Sequence, residues 1–505
     1  MSGALRFRLS AMMFLQYAIW GVWAPILGLH LGSLESFAAG QTQTKIGLIY
    51  MTMPLASIIA PFIGGQIADR WFATQRFLAV SQLLGGALLL VVARLTGYAE
   101  IFVCMLLYTL VYAPTIALTN SMVFHHWPNE QFSRIRMWGS IGWIVIGWVL
   151  AVWLGLADGL IEYVSPAWKE GLAGWRQGLA HKPAMVDCLY IAAFLSFIYA
   201  IFCLGLPHTP PSKKPERPWA FLDALALMRN RAFAVMAVVS FLVGIELQIY
   251  FIWTQSFLNQ GGGPFDAKAI ATVIAPPRDP NDTDEQARIK LEPYVRTGEA
   301  TVKLGDKNGD GKLSRSELAA LARTDEAARA LLDAQDRLVA EKGGVGLAQM
   351  WVSPVMTFGQ ICEMVMMALL PLILRAAGFR VTITLGIAAW ALRDFIFAIG
   401  QPSGLVIAGV TLHGVGFALF CTTIFIFADA VAPKDIKASA QSFLAAVTFG
   451  FGMLVGSLLQ GPIFDRLTQA NWHKAYLVPA ILCTVCCIVF AAAFQPKPQG
   501  AAEKA

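Results

Sequence analysis

Twelve times along this chain an apolar run of about 20 residues recurs with few interior charges, a length that spans a bilayer core of ~30 Å. Inside lipid no water is available to backbone N–H and C=O groups. Each run must therefore close its own hydrogen bonds as a helix. The runs are 9–31, 46–67, 76–95, 99–124, 134–156, 184–206, 232–258, 348–374, 380–399, 404–428, 438–461 and 475–494. Composition supports this reading: 57% of the 505 residues are hydrophobic and 14% are charged, whereas a soluble domain carries roughly a quarter charged residues. A single soluble domain and a disordered chain are both excluded. The expected fold is an all-α membrane protein with twelve transmembrane helices. Arg6 and Arg8 precede the first run without a small-residue cleavage site after it, so that run reads as a retained helix rather than a signal peptide.

A polar, proline-rich stretch at 207–231 divides the runs into two groups of six. The expected units are 1–206, the linker 207–231, a second half made of 232–258 and 348–494, an insertion at 259–347, and a tail at 495–505. The insertion holds 15 of the 32 acidic and 13 of the 38 basic residues, a net of −2, which leaves +8 for the remainder. That positive excess sits in short loops, which is the signature of orientation in a membrane rather than of nucleic-acid binding. With a cytoplasmic N-terminus, the inner segments hold seventeen Lys and Arg residues and the short outer loops seven. Both termini are thus expected in the cytoplasm, and 259–347 outside the cytoplasmic membrane. The eight cysteines lie in or beside apolar runs and form no disulfide or zinc pattern.

Six plus six helices around a cytoplasmic linker is the organisation of the major facilitator superfamily, whose halves pack around a midplane site. Gly64-Gly65-Gln66-Ile67-Ala68-Asp69-Arg70, between spans two and three, resembles that superfamily's Gly-x-x-x-Asp-Arg signature.

Ionisable groups within the spans are the candidate functional residues, because a charge at mid-bilayer costs roughly 2.5–3.5 kcal/mol on insertion scales. Glu363 lies near the middle of span eight with Gln360 three residues before it, on one helix face. Arg136, Ser140 and Trp143 share a face of span five by the same periodicity: a cation, a hydroxyl and a flat stacking surface. Glu246 and Gln248 in span seven point to different faces, one toward a cavity and one between helices. His413 and Phe417 share a face of span ten, where an imidazole suits a proton carrier. Arg393 and Asp394 in span nine are expected to pair with other helices. Aromatic faces beside amides and a carboxylate suit a small polar ring compound with hydroxyls, such as a nucleoside or a sugar.

The chain is similar to the nucleoside:proton symporters of the major facilitator superfamily through most of its length except 259–347. The resemblance is densest at Phe14-Leu15-Gln16-Tyr17-Ala18-Ile19-Trp20-Gly21, Tyr112-Ala113-Pro114-Thr115 and Arg136-Met137-Trp138-Gly139-Ser140-Ile141-Gly142. It continues at Glu246-Leu247-Gln248-Ile249, Gln360-Ile361-Cys362-Glu363, Ala438-Ser439-Ala440-Gln441 and Gly450-Phe451-Gly452. The resemblance implies substrate-binding roles for Arg136, Ser140, Trp143, Gln248, Gln360, Glu363 and Phe417. Three positions depart from it: Phe251 stands where the family has a substrate-binding asparagine, His413 where it has a tyrosine, and Ala418 where it has an aspartate implicated in proton coupling. His413 and Glu363 are therefore the proton-coupling candidates.

Within the insertion, Asp306-Lys307-Asn308-Gly309-Asp310-Gly311-Lys312-Leu313-Ser314-Arg315-Ser316-Glu317 matches the EF-hand loop at every ligand position. Calcium ligands are expected from Asp306, Asn308, Asp310, the Lys312 carbonyl, Ser314 and Glu317, with Gly311 making the sharp turn and helices over 285–304 and 315–342. Outside the cell such a Ca2+ site acts as a structural staple rather than a sensor. The chain is thus expected to be a monomeric uptake transporter for nucleosides, with the proton as coupling ion. The alternatives are a symporter or facilitator for a sugar or another polar solute, and a calcium-responsive membrane sensor. No nucleophile–base pair, phosphate loop or catalytic metal cluster is visible, so an enzyme is not expected.

Overall fold

A computed structural model describes residues 3–38, 42–63, 73–127, 132–155, 161, 163–181, 183–210, 224–263, 265–276, 284–306, 313, 315–347, 349–433 and 437–495. Ten helices among them are long and apolar enough to cross a membrane. One of these belongs to the helical stretch Gln349–Ile399, which is broken at Gly378 and so supplies spans eight and nine. Gly378 has a φ of 69°, a left-handed conformation that glycine adopts without a Cβ penalty. Helix Thr42–Ile63 supplies span two, bringing the spans to twelve. Their outer faces are apolar: Ile201, Leu372 and Ile488 are 72%, 63% and 64% exposed, a surface that lipid covers.

In the first half, span one (Gly3–Gly32) packs on spans five (Phe132–Trp153) and six (Asp187–Leu204), and span four (Tyr98–His126) packs on spans two and three (Thr74–Val92). In the second, span seven (Arg231–Asn259) packs on spans eleven and twelve (Trp472–Ala493), while span ten lies against Gln349–Ile399. The halves meet where span two packs on span eleven and where span five packs on Gln349–Ile399. Span seven begins at Asn230, whose side chain accepts hydrogen bonds from the N–H groups of Ala232 and Phe233 at 3.0 and 3.4 Å, satisfying donors that the first helical turn leaves open.

Spans ten and eleven are not uniform. Ser403–Gly416 passes into a wide π turn, Phe417–Thr422, before Thr423–Val431; Lys437–Ala445 passes into a second, Ala446–Gly452, before Met453–Ala470. Such turns leave the regular hydrogen-bond ladder and gather at functional sites.

The insertion has its own apolar core, including Phe265, Ile270, Val302, Leu313, Leu318 and Leu331. Its helices are Ala267–Ile274, Asp284–Gly305, Arg315–Leu321 and Glu326–Lys342. The single helix expected over 315–342 is thus two, because Asp325 caps the second by accepting from the Ala328 N–H at 2.8 Å. Phe265 and Leu313 form an antiparallel bridge, each N–H donating to the other's carbonyl at 2.8 and 2.7 Å. The insertion joins the bundle through Asn259, whose amide donates to Gly263 and Leu347 carbonyls at 3.0 and 3.1 Å, and through Asn471, which donates to the Glu341 carbonyl at 2.9 Å.

Candidate functional site

The contact between spans one and five places the first group of site residues. Gly139 faces Tyr17 so closely that a Cβ there would lie 2.6 Å from the phenol ring, and one on Gly21 would lie 2.9 Å from the Trp143 indole. With both positions bare, the helices approach and their large side chains interleave. The Arg136 guanidinium sits 3.8 Å above the Tyr17 ring, a cation–π contact. Trp143 meets Trp20 edge to face, with ring centroids 5.4 Å apart. Beneath them, Gln16 donates to the Thr115 hydroxyl at 2.8 Å and accepts from the Gln82 amide at 3.4 Å, while the Tyr112 hydroxyl donates to the Gln16 carbonyl.

Across the junction of the halves, span eight presents Gln360 and Glu363, both half-buried, and Arg136 acts electrostatically on the Glu363 carboxylate. Ser140 and Trp143 are also half-buried on the same stretch of span five. Five of the seven substrate residues expected from the sequence thus lie on spans five and eight, whose helices meet at the junction of the halves, with Trp143 itself packed on span one. Phe417 opens the π turn of span ten, its ring 6.0 Å from that of His413. Gln248 does not join the group. It is 2% exposed and its amide donates to the Ser457 hydroxyl at 2.8 Å, which ties span seven to span eleven.

Behind Phe417 lies a second group with different chemistry. Arg393 on span nine is 1% exposed and reaches three partners. Its Nε and Nη2 donate to Asp394 Oδ1 at 3.0 and 2.8 Å, Nη2 also donates to Glu246 Oε1, and Nη1 donates to His413 Nδ1 at 3.0 Å. The guanidinium lies 4.4 Å from the Tyr250 ring centroid. Tyr250 in turn stacks on the His413 imidazole at 3.8 Å, with Phe251 edge-on to it at 5.7 Å. Glu246, Arg393, Asp394 and His413 therefore form one buried cluster that joins spans seven, nine and ten. A guanidinium has no acceptor, so His413 Nδ1 is the acceptor here and the imidazole is neutral, its proton on Nε2. Sequence periodicity places Glu246 and Arg393 within the membrane, but they are 147 positions apart and no local pattern pairs them.

Two sequence motifs fall wholly or partly outside the described residues. Gly64–Arg70 lies entirely outside, as do Asn308, Asp310, Lys312 and Ser314 of the calcium loop. Of the six expected ligands, Asp306 follows the end of Asp284–Gly305 and Glu317 lies in Arg315–Leu321. Among the described residues no group of three or more His, Cys, Asp or Glu side chains is arranged to hold a metal.

The family model for the nucleoside H+ symporters matches residues 3–275 and 329–499. The putative nucleoside transporter YegT of Escherichia coli is 28% identical over 502 residues, covering 96% of this chain and 92% of that protein. The nucleoside permease NupG of the same organism is 25% identical, covering 98% and 96%, and its xanthosine permease 24%, covering 96% and 95%. The crystal structure of NupG superimposes with a TM-score of 0.65 at 22% identity, covering 98% of this chain and 100% of that one. That of a D-xylose–proton symporter gives 0.58 at 10% identity, covering 97% and 98%. These likenesses give the twelve spans the major facilitator fold.

Proposed function

The chain belongs to the nucleoside H+ symporter family of the major facilitator superfamily, and from that premise we propose that it carries nucleosides into the cell by alternating access, with protons as the coupling ion. It is a multi-pass membrane transporter and not an enzyme. The reading places it in the cytoplasmic membrane with both termini inside and 259–347 outside, in keeping with the lysine and arginine bias of its loops.

The observation that carries the proposal is the junction of spans five and eight. Arg136 and Glu363 lie within electrostatic reach across the two halves, with Gln360 one turn from Glu363 on span eight, and Ser140 and Trp143 one and two turns from Arg136 on span five. An amide both donates to and accepts from ribose hydroxyls and base edges, a carboxylate accepts from them, and an indole stacks on a heterocycle. A site divided between halves is made and unmade as they rock, which is what alternating access requires. Phe417 adds a second aromatic face. Gln248, expected in this group, holds spans seven and eleven together through its amide nitrogen in the observed arrangement.

A sugar is the second reading, favoured by Phe251. It puts a ring where the family resemblance implies an asparagine, and that ring is 37% exposed. For the insertion, the reading is a structural calcium site held by Asp306, Asn308, Asp310, Lys312, Ser314 and Glu317. Its support is the complete ligand pattern together with the frame around it: one helix ends at Gly305, the next begins at Arg315, and Leu313 is fixed between them by the bridge to Phe265.

Uptake of labelled uridine and adenosine into proteoliposomes, with and without an inward proton gradient, tests the main proposal. Accumulation stimulated by the gradient is the expected result. Absence of uptake by folded protein overturns it and sends the test to a panel of sugars.

A further inference from the structure

The charged cluster of the second half contains none of the seven expected substrate residues, and its charges do not balance. Glu246 and Asp394 are 0% and 1% exposed and share one guanidinium, Arg393. His413 is neutral, because its Nδ1 accepts from that guanidinium. With both carboxyls ionised the cluster carries one uncompensated negative charge inside the membrane, an expensive arrangement. One bound proton makes it neutral. Each carboxyl also keeps one oxygen, Glu246 Oε2 and Asp394 Oδ2, that is buried and has no hydrogen-bond partner among the described residues. Among the described residues, the other ionisable groups near the cluster do not supply the missing positive charge: Tyr250 on span seven, Glu363 on span eight, Cys421 on span ten, and Tyr476, Cys483 and Cys486 on span twelve.

We propose that the carboxyl pair Glu246 and Asp394, bridged by Arg393, holds the coupled proton of this transporter. The step is a simple transfer. An O–H bond forms on one of the two carboxyls when the cluster is open to outer water, and that bond breaks to cytoplasmic water when it opens inward. His413 relays the change instead of carrying the proton. Adding a proton at Nδ1 breaks its bond to Arg393 and sets an imidazolium against a guanidinium.

The same geometry links loading to the substrate site. Arg393 draws span seven, span nine and span ten to one point. Span ten carries Phe417, and its Gly414 packs against the backbone of span eight at Gly359 and Glu363. A protonated carboxyl loosens its hold on Arg393, and the guanidinium then pulls on His413 with one carboxylate partner instead of two.

This inference rests on the symport reading, and its test separates the two. The infrared spectrum of the purified protein at neutral pH, in water and in deuterated water, is expected to show the carbonyl band of a buried protonated carboxyl. Either Glu246→Gln or Asp394→Asn should remove it, and Glu363→Gln should leave it at least in part. Asp394→Glu keeps the carboxyl and should shift the band, which preserves the test if the neutral variants fail to fold. A wild type without such a band, or a band lost only in Glu363→Gln, overturns the proposal even if the substrate is not a nucleoside. In proteoliposomes, Glu246→Gln and Asp394→Asn should lose gradient-driven uridine accumulation while retaining uridine exchange. Accumulation equal to wild type in both variants overturns it as well.

Discussion

The deepest polar groups of the two halves are held by different physics. In the first half the cluster around Gln16 is neutral: amides, a threonine hydroxyl and a tyrosine hydroxyl satisfy one another between spans one, three and four. In the second half the cluster around Arg393 is charged and joins spans seven, nine and ten. A neutral network has no alternative charge state, so it fixes helices in one relation. A charged network with one more acid than base changes its bonding with every proton, so it can be switched. The comparison suggests a division of labour in which the first half is the firmer frame and the second half the responsive one.

The sharpest way to break that comparison is to remove the arginine. Arg393→Met leaves two buried carboxyls without a counter-charge, and breaking a buried ion pair in this way costs about 3–5 kcal/mol. Loss of monodisperse protein on size-exclusion chromatography is the expected outcome. Adding Glu246→Gln and Asp394→Asn to the same chain should restore much of it, because the charge debt disappears. If the single variant is as stable as wild type, the cluster is not the charged lock described here.

Next in size is the junction itself. Glu363→Gln keeps the shape and an acceptor but deletes the charge that Arg136 faces. A hydrogen bond to a charged group is worth about 1.5–3 kcal/mol, or roughly 10- to 150-fold in uptake kcat/KM. Folded yield and melting temperature should stay near wild type. Uptake kinetics unchanged by the substitution would remove Glu363 from the substrate site.

These two experiments also mark what the sequence made legible. Glu363 and Gln360 stood out because both lie on one helix and i, i+3 spacing is a local property. The same holds for Arg136, Ser140 and Trp143. Gln248 was legible as a polar residue within a span, but its partner Ser457 belongs to span eleven, and periodicity does not say which neighbouring helix a face meets. The pairing of Glu246 with Arg393 was hidden for the same reason. The twelve spans were legible because lipid imposes a length and forces helix. The break between spans eight and nine could be read too, from the gap between the runs 348–374 and 380–399, which holds Gly378. The split after Leu321 in the insertion had a signal, the capping Asp325, that the helical pattern around it obscured.

A smaller effect is expected in the neutral cluster. Gln16→Leu removes the donor to Thr115 and the acceptor of Gln82. Polar pairs between membrane helices average about 0.6 kcal/mol, with a maximum near 1.7. A modest fall in melting temperature should follow, with gradient-driven accumulation still present in proteoliposomes. Selective loss of coupling in this variant, with uridine exchange intact, would contradict the division between a fixed and a switchable half.

The insertion should matter least to transport. Its core is separate from those of the bundle, and the attachments described above, at Asn259 and Asn471, lie near the ends of the inserted segment. Replacing 265–343 by a short linker should therefore leave the twelve helices folded and uridine uptake within about twofold of wild type, since surface changes away from buried features stay near ±0.5 kcal/mol. Calcium is expected to raise the melting temperature of the full chain, because a ligand that binds only the folded form stabilises it by mass action. It should have no such effect on the deleted chain. An equal calcium response in both chains would place the ion on the bundle and not in the loop from Asp306 to Glu317. A calcium-dependent uptake rate in the full chain alone would instead make the insertion a regulator, acting on span twelve through the hydrogen bond from Asn471 to Glu341.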